Sequence, residues 1–329
     1  MSSGSDYAVQ LQAAADFIRG NDDFLVVSHM QPDGDAAGST FGVAWMLRAM
    51  NKRFTLINEG RMPEKFKFMA GSLPIIDYEK DRPNRMFGKV ISVDCADFGR
   101  IGKVKDCFEP DALLLNIDHH ATNDLFGTVN VVKADAAATV EVLYDLAVEL
   151  GLPFSAEWNV CIYSGLLTDT GGFRYSNTSP KVLQIAADLL NRGVQGHDLA
   201  ERLLETMTFG QISLLKKTLN TLSFSHDNRI AWLSVSLDDL RSSEAASEDM
   251  DGLVNYARNV EGVEVGMMFK EKQPGVVKVS LRSGGQANVA ELAQRFGGGG
   301  HVRAAGCTIH GTLEEAIERV VQEVGMALS

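Results

Sequence analysis

The sequence predicts an α/β protein in which a doubly wound, mainly parallel sheet domain is followed by a smaller α+β domain. In residues 1–190, short apolar runs alternate with amphipathic helical patterns, which is typical of a sheet covered by helices on both faces. From residue 227 a second series of strand and helix patterns begins, and its length of roughly one hundred residues suits a separate domain. We therefore expect domains at 1–190 and 227–329, joined by a helical connector at 191–226.

The strands of the first domain are predicted from short, almost uncharged apolar runs, because strands that are buried on both faces have this composition. They are expected at residues 24–28, 53–58, 89–94 and 113–118, with helices at 39–50 and 139–150. Residues 178–222 lack strand patterns and are expected to be helical. In the second domain, strands are expected near residues 229–237, 263–270, 276–282 and 305–310, and helices near 288–296 and 312–327.

The composition argues against several classes of protein. A formal net charge of −12 disfavours a broad basic surface for duplex DNA or anionic membranes, so a nucleic-acid substrate should be short. The four cysteines are scattered without a CxxC pair, which indicates neither a zinc ribbon nor a disulfide framework and fits the reducing cytosol. No basic leader with an apolar core opens the sequence, and no apolar stretch is long enough to cross a bilayer. We expect a cytoplasmic protein that is neither secreted nor membrane-spanning.

Acidic and imidazole side chains follow the predicted strands of the first domain. Open α/β sheets bind ligands beyond the carboxyl ends of their strands, so these positions are candidates for a functional site. The candidates are His29, Asp33, Asp35, Asp94, Asp97, Asp118, His119, His120 and Asp169. Taken singly, each has a structural alternative. Asp33 before Gly34 suits a turn, Asp94 suits a helix cap, and a histidine can pack in a core.

Together, these side chains indicate bound metal. Carboxylates crowded at one sheet edge raise one another's pKa unless cations compensate their charge. Imidazoles combined with carboxylates suit Mn(II), Zn(II) or Fe(II), whereas Mg(II) and Ca(II) sites rarely include histidine. Because no cysteine belongs to the set, we favour manganese. The candidates also outnumber the ligands that one open site needs, and two cations about 3.5–4 Å apart can clamp a phosphate during phosphoester hydrolysis.

Five segments resemble the motifs of one enzyme family. They are "SHMQPDGDAAGS", "VDCADFGRIG", "NIDHHATND", "LLTDTGGFRYSNTSP" and, near the C-terminus, "GGGGHVRAAGC". The first four resemble, in order, the motifs of the DHH phosphoesterases, and the fifth resembles the signature of their DHH-associated C-terminal domain. The resemblance covers nearly the whole chain.

The resemblance implies a role for each candidate. The implied ligand sets are His29 and Asp33 for one manganese ion, Asp35, His119 and Asp169 for the second, and Asp94 as the bridge between them. Mg, Co or Fe are possible substitutes at these sites. Asp118 is then expected to orient His119 through the ring N–H of that histidine. His120 is expected to face the scissile phosphate, where it stabilises charge or passes a proton.

The second domain contains a "GGGG" tract at 297–300, directly after the helical pattern "VAELAQRF". One glycine is needed to end the helix, and consecutive glycine N–H groups can form an anion-binding nest. The resemblance implies a substrate-binding surface made by Arg282, Gly298, Gly299, Gly300, His301 and Arg303. These residues are expected to hold the phosphate or the base at the end of the substrate that is not cut.

Two-domain proteins of this length in the family are mostly nano-RNases (oligoribonucleases) that also dephosphorylate 3′-phosphoadenosine 5′-phosphate (pAp). The resemblance therefore implies short single-stranded RNA and nucleotides as substrates. A cyclic di-AMP or pApA phosphodiesterase stays open because the same core would serve it. A single-stranded DNA exonuclease is a weaker alternative, because such enzymes usually carry further nucleic-acid-binding domains, which do not fit the length and acidity of this chain. A nucleotide-sensing module usually lacks a ligand residue, and none is missing here. Cleavage polarity and oligomeric state stay open, although related proteins are often homodimers.

Overall fold

The computed structural model describes residues 3–250, 252–285 and 287–328. The chain divides into two compact units, of which the first ends at Thr206 and the second begins at Met207. The expected connector, residues 191–226, is therefore shared between the two units.

The first unit contains six strands and six α-helices among its described residues. In chain order they are α1 (Ser3–Gly20), β1 (Phe24–Val27), α2 (Gly34–Ala49), β2 (Phe54–Asn58), β3 (Ile75–Asp77), β4 (Phe87–Val93), β5 (Phe108–Asp118), β6 (Val129–Val132), α3 (Thr139–Leu150), α4 (Ala156–Asp169), α5 (Pro180–Asn191) and α6 (Gly196–Ala200). Tighter helical turns lie at Glu64–Ala70 and Phe98–Cys107, and a wider turn lies at Glu201–Glu205.

The six strands of the first unit form one parallel sheet in the order β3-β2-β1-β4-β5-β6. Every residue of β1 is buried, because apolar side chains cover both faces of the sheet. Phe41 of α2 and Ile162 of α4 belong to the core on one face. Leu25, Val90 and Ile101 belong to the core on the other. The predicted doubly wound sheet is confirmed.

The second unit also contains a six-stranded sheet. Its elements are α7 (Phe209–Leu219), β7 (Ser223–Ser225), β8 (Ile230–Val235), α8 (Leu237–Ser242), α9 (Val254–Arg258), β9 (Val265–Gln273), β10 (Val276–Ser283), α10 (Val289–Gln294), β11 (Gly299–His301), β12 (Ala304–His310) and α11 (Leu313–Leu328), with a tight turn at Ser247–Met250. The strand order is β11-β12-β10-β9-β8-β7, and only the β8–β9 pair is parallel. The predicted α+β class of this part is confirmed.

The core of the second unit lies mainly between its sheet and two helices. Val279 and Ile309 of the sheet share a buried cluster with Leu292 of α10 and Val320 of α11. A smaller cluster joins Leu214 of α7 to the sheet. Within the part of the chain that the structure describes, no helix has both the length and the hydropathy needed to cross a bilayer.

Candidate metal centre

The candidate ligands of the first unit lie beyond the carboxyl ends of its parallel strands. From β1 the chain continues to one side of the sheet, and from β4 it continues to the other. The space beyond these two neighbouring strands is therefore the switch point at which open α/β sheets bind ligands. His29 comes two residues after β1, Asp94 directly follows β4, and His119 directly follows β5. Asp169 is the last residue of α4.

The first motif delivers two carboxylates by starting a helix. Asp33 is the N-cap of α2, and its Oδ1 accepts hydrogen bonds from the N–H groups of Asp35 (3.1 Å) and Ala36 (3.0 Å). This cap places Asp35 in the first turn of α2, where it is fully buried. The helix starts at Gly34, earlier than the predicted residue 39, because the turn-forming aspartate also acts as a cap.

Three overlapping groups of the described side chains could each hold a metal ion, since the ligand atoms of a group lie within 4.8 Å of one another. The groups are His29–Asp33–Asp94, Asp35–His119–Asp169 and Asp94–His119–His120. Oδ2 of Asp94 lies 3.5 Å from Nε2 of His29, whereas its Oδ1 lies 3.7 Å from Nε2 of His119. The two oxygens of Asp94 thus face different histidines, which is the arrangement that a bridging carboxylate requires.

The remaining distances leave room for a cation in each group. Nε2 of His119 lies 3.9 Å from Oδ2 of Asp35 and 3.6 Å from Oδ2 of Asp169. Nε2 of His29 lies 4.0 Å from Oδ1 of Asp33. These separations exceed those of normal hydrogen bonds, so the side chains converge without satisfying one another. A donor set of imidazoles and carboxylates without thiolate fits a divalent transition metal.

Burial determines the electrostatics of this centre. Asp35 is 0% exposed and Asp94 is 2% exposed. Burial, followed by repulsion from Asp94 and Asp33, raises the pKa of Asp35 well above its usual range. Burial and repulsion from Asp35 also raise the pKa of Asp169. Burial opposes ionisation of Asp94 too, but the hydrogen bond from His29 and the nearby histidine charges lower its pKa. The buried carboxylates therefore need compensating positive charge, which a bound metal ion would supply.

The backbone of Asp94 is left-handed, with φ at 58°. This conformation is uncommon for residues other than glycine, although aspartate tolerates it better than most. The N–H group of Asp94 donates to the carbonyl oxygen of Ile117 at 3.0 Å, which ties the end of β4 to β5. Strained backbone of this kind is often found at functional sites.

Helix α3 also contacts the centre, through Thr139. Its N-cap, Ala138, has no side-chain oxygen to bind the first N–H groups. Instead the N–H groups of Thr139 and Val140 donate to Oδ2 (2.6 Å) and Oδ1 (3.1 Å) of Asp35. Oγ1 of Thr139 donates to Oδ1 of Asp94 at 2.9 Å. Thr139 was not among the predicted site residues. The only feature of the sequence that could have indicated it is the alanine at the N-cap of α3, because such a helix needs hydrogen-bond acceptors from elsewhere in the chain.

Asp118 contacts His120 rather than His119. Its Oδ1 lies 2.7 Å from Nδ1 of His120, whereas Nδ1 of His119 lies 3.2 Å from the carbonyl oxygen of Ala136. The expectation that Asp118 orients His119 is therefore wrong. Asp118 ends β5, and along an extended chain the side chain two positions on, not the adjacent one, lies on the same side.

Asn123 is a second residue of the centre that was not predicted, although it lies inside the third motif. Its Nδ2 donates to Oδ2 of Asp118 (2.6 Å) and to the carbonyl oxygen of Cys95 (3.0 Å). Both oxygens of Asp118 are thus engaged. Burial lowers the pKa of His120, but the hydrogen bond and the charge of Asp118 outweigh it, so that the pKa is raised. Asp118 therefore holds the ring of His120 in one orientation.

The predicted substrate-binding residues of the second unit lie on the interior strand β10, on or next to the edge strand β11, and in the turn that follows β11. Arg282 of β10 pairs with Ala304 of β12, which pairs in turn with His301 of β11. Side chains paired directly across strands project from the same face, so Arg282 and His301 share a face. Arg303 is exposed in the turn between β11 and β12.

The "GGGG" tract follows helix α10 and begins the edge strand β11. Gly297, with φ at 71°, turns the chain after α10, and the N–H group of Gly298 donates to the carbonyl oxygen of Ala293 at 2.9 Å. The next two glycines belong to β11, which is the edge strand of the sheet. A Cβ atom on Gly298 would collide with the carbonyl oxygen of Gly306 in β12. Glycine is therefore needed at position 298 for this close contact between neighbouring strands.

The fold and the centre together define a class of protein. A doubly wound parallel sheet presents carboxylates and imidazoles at its switch point, in three overlapping groups that are linked through Asp94 and His119. This is the architecture of a metal-dependent hydrolase.

Comparison with known proteins specifies the family. The model of the DHH family N-terminal domain matches residues 23–166, and the model of the DHHA1 domain matches residues 230–329. The bifunctional oligoribonuclease and PAP phosphatase NrnA of Thermus thermophilus is 35% identical to this chain over 301 residues, which are 91% of this chain and 88% of that relative. The chain belongs to the DHH family of phosphoesterases, and the resemblance drawn from its motifs is confirmed.

Two further similarities extend over both units. The NrnA protein of Bacillus subtilis is 28% identical over 296 residues, which are 88% of this chain and 90% of that protein. The crystal structure of an exopolyphosphatase-related protein from Bacteroides fragilis matches with a TM-score of 0.88 at 26% identity, covering 96% of this chain and 95% of the other. The chain is thus similar to these proteins along nearly its whole length.

Proposed function

We propose that this protein is a manganese-dependent phosphoesterase that hydrolyses very short single-stranded RNA and pAp. The observation that carries the proposal is the position of Asp94 between two groups of possible ligands, His29–Asp33–Asp94 and Asp35–His119–Asp169: its Oδ2 lies 3.5 Å from Nε2 of His29 and its Oδ1 lies 3.7 Å from Nε2 of His119. The substrates follow from the relatives, whose names state oligoribonuclease and PAP phosphatase activity.

The proposed ligands form two sets around a shared carboxylate. They are His29 and Asp33 for one ion, Asp35, His119 and Asp169 for the other, and Asp94 for both. Two divalent cations held by these residues would supply Lewis-acid stabilisation to the oxygens of a phosphoester. Manganese is preferred to magnesium because imidazole belongs to both sets, and Co or Fe would suit the same donors.

His120 is proposed as the catalytic residue nearest the reacting phosphate. Its Nδ1 is engaged by Asp118, so its Nε2 is the ring atom left to stabilise negative charge or to pass a proton to the leaving oxygen. Asn123 fixes Asp118 from the other side. Asp118 is thus proposed to act through His120.

The second unit is proposed to bind substrate. Arg282 and His301 share one face of the sheet, and Arg303 is exposed beside them. Guanidinium groups suit phosphate recognition, and the glycines at 298–300 expose backbone near these side chains. The net charge of −12 disfavours duplex DNA and membrane surfaces as partners, so we propose that the protein acts on free short substrates in the cytoplasm.

A substrate panel tests the proposal. The purified protein is incubated with pAp, pApA, cyclic di-AMP, an RNA trinucleotide and a long single-stranded RNA, each with Mn, Mg or EDTA, and the products are separated by chromatography. We expect cleavage of pAp and of the trinucleotide with Mn and none with EDTA. Cleavage of cyclic di-AMP with pAp and RNA left intact would overturn the proposed substrates. Tight binding of pAp without turnover would instead indicate a sensor.

A further inference from the structure

Thr139 contacts two of the proposed ligands through two different groups. Its backbone N–H donates to Oδ2 of Asp35 at 2.6 Å, and its side-chain Oγ1 donates to Oδ1 of Asp94 at 2.9 Å. All three residues are almost fully buried, with exposures of 0%, 0% and 2%. Among the described residues, only Thr139 donates hydrogen bonds to the carboxylates of both Asp35 and Asp94.

The hydroxyl group determines which way the Asp94 carboxylate points. Because Oδ1 accepts from Thr139, this oxygen is held on the side of His119, and Oδ2 is left on the side of His29. Rotation of the carboxylate would break a charge-assisted hydrogen bond between two almost fully buried side chains, which is costly. The backbone of Asp94 is fixed separately, by the hydrogen bond to Ile117.

We propose that Thr139 is a positioning residue that sets the spacing of the two metal sites, by holding Asp35 and Asp94 in one arrangement. The backbone contact fixes the carboxylate that belongs to one site only. The hydroxyl contact fixes the carboxylate that belongs to both. This inference rests on the proposed two-metal centre and adds to it a residue that belongs to neither ligand set.

The two contacts can be separated by substitution. Thr139→Val keeps the branched shape and the backbone N–H but removes the hydroxyl, whereas Thr139→Ser keeps the hydroxyl. Thr218→Val is the matched control, because Thr218 is also buried in a helix and its Oγ1 donates only to the carbonyl oxygen of Leu214, at 2.8 Å in the second unit. Circular dichroism and the melting temperature without metal report whether each variant folds.

The measurement is manganese binding to the full chain, by competition with a fluorescent chelator and by electron paramagnetic resonance of the ion pair. We expect the wild type, Thr139→Ser and Thr218→Val to bind two ions with a spin-coupled signal. We expect Thr139→Val to bind the weaker ion about 10- to 100-fold less tightly, and to lose the coupled signal at manganese concentrations that saturate the wild type.

The outcomes distinguish this inference from the proposed function. If the wild type does not bind two coupled ions, the two-metal proposal fails. If it does, and folded Thr139→Val binds manganese as the wild type does, the role of Thr139 is refuted. If Thr139→Val does not fold, Thr139→Ala is measured by the same criteria. If neither Thr139→Val nor Thr139→Ala folds while Thr139→Ser folds normally, the hydroxyl group is needed for folding. That result would also refute the positioning role.

Discussion

The two units arrange their charged groups in opposite ways. In the first unit, Asp35 and Asp94 are buried and fixed by hydrogen bonds from α3. In the second, His301 and Arg303 are exposed at an edge hairpin, and none of the potential metal-binding groups found among the described residues lies there. Fixed, buried charges need little reorganisation during a reaction, whereas exposed side chains can adapt to a bound ligand. We therefore expect substitutions in the first unit to lower kcat and substitutions in the second to raise KM.

The largest effect is expected from Asp94→Ala. Loss of the shared carboxylate should lower kcat for pAp by at least about 10³-fold. Without Asp94 the two metal ions would no longer be held together, and several kcal/mol of charge stabilisation in the transition state would be lost. The fold should persist, since removing Asp94 also relieves its repulsion of Asp35 and Asp169. Steady-state kinetics and circular dichroism measure the two effects.

Two further variants serve as controls for this prediction. Asp94→Asn keeps a side chain that tolerates the left-handed backbone, and so separates loss of charge from backbone strain. Asp97→Ala removes a nearby exposed carboxylate that only caps the following turn, through the N–H group of Arg100 at 3.2 Å. Near-normal turnover in Asp94→Ala would show that the two ligand groups do not act as a pair.

Metal binding should also stabilise the first unit. At a manganese concentration of about 100 times Kd, a ligand that binds only the folded state adds about 2.7 kcal/mol to the free energy of unfolding. For a unit of this size that corresponds to a rise in melting temperature of about 5–10 °C. Differential scanning calorimetry with Mn and with EDTA measures it, and the rise should vanish in Asp94→Ala. An equal rise in that variant would place the stabilising ions elsewhere.

A smaller loss is expected from Asp118→Asn. An amide still fills the space and contacts Asn123, but it no longer offers His120 a charged acceptor. We expect kcat to fall about 10- to 100-fold, as is usual when the partner of an active-site imidazole is replaced, with manganese stoichiometry unchanged. A variant that loses an ion instead would show that Asp118 supports the ligands and not His120.

The smallest effect is expected from Arg303→Ala in the second unit. An exposed guanidinium that contacts a phosphate adds to binding in the ground state and the transition state alike, so KM for the RNA trinucleotide should rise about tenfold while kcat changes little. Arg319→Ala, which removes an arginine from α11, is the control. If Arg303→Ala lowers kcat and leaves KM unchanged, the contrast between the two units is wrong.

Much of the fold could be predicted because the central strands are apolar on both faces. The strands β1, β4 and β5 were expected from this composition, and all three are found. By contrast, β3 and β6 were not predicted, because both are short edge strands with few fully buried residues. Edge strands carry little apolar pattern, so pairing with a neighbour determines them.

The site was predictable to the extent that its side chains follow strands. The sequence places Asp94 and His119 at strand ends, and the structure brings them together. The contacts of Thr139 could not be predicted from the sequence, because its partners Asp94 and Asp35 lie 45 and 104 positions away. The requirement for glycine at position 298 could not be predicted for a related reason, because it comes from Gly306 in a strand that follows later in the chain.

The first N–H groups of α3 donate to the carboxyl group of Asp35. Formation of this helix therefore also fixes the position of a proposed metal-binding side chain. Once that helix has formed, the carboxyl group of Asp35 is held by two backbone N–H groups before any cation binds. Loading should then proceed at the pace of ion encounter. Protein purified without metal should then regain activity as soon as a suitable divalent cation is added, with no slow refolding phase.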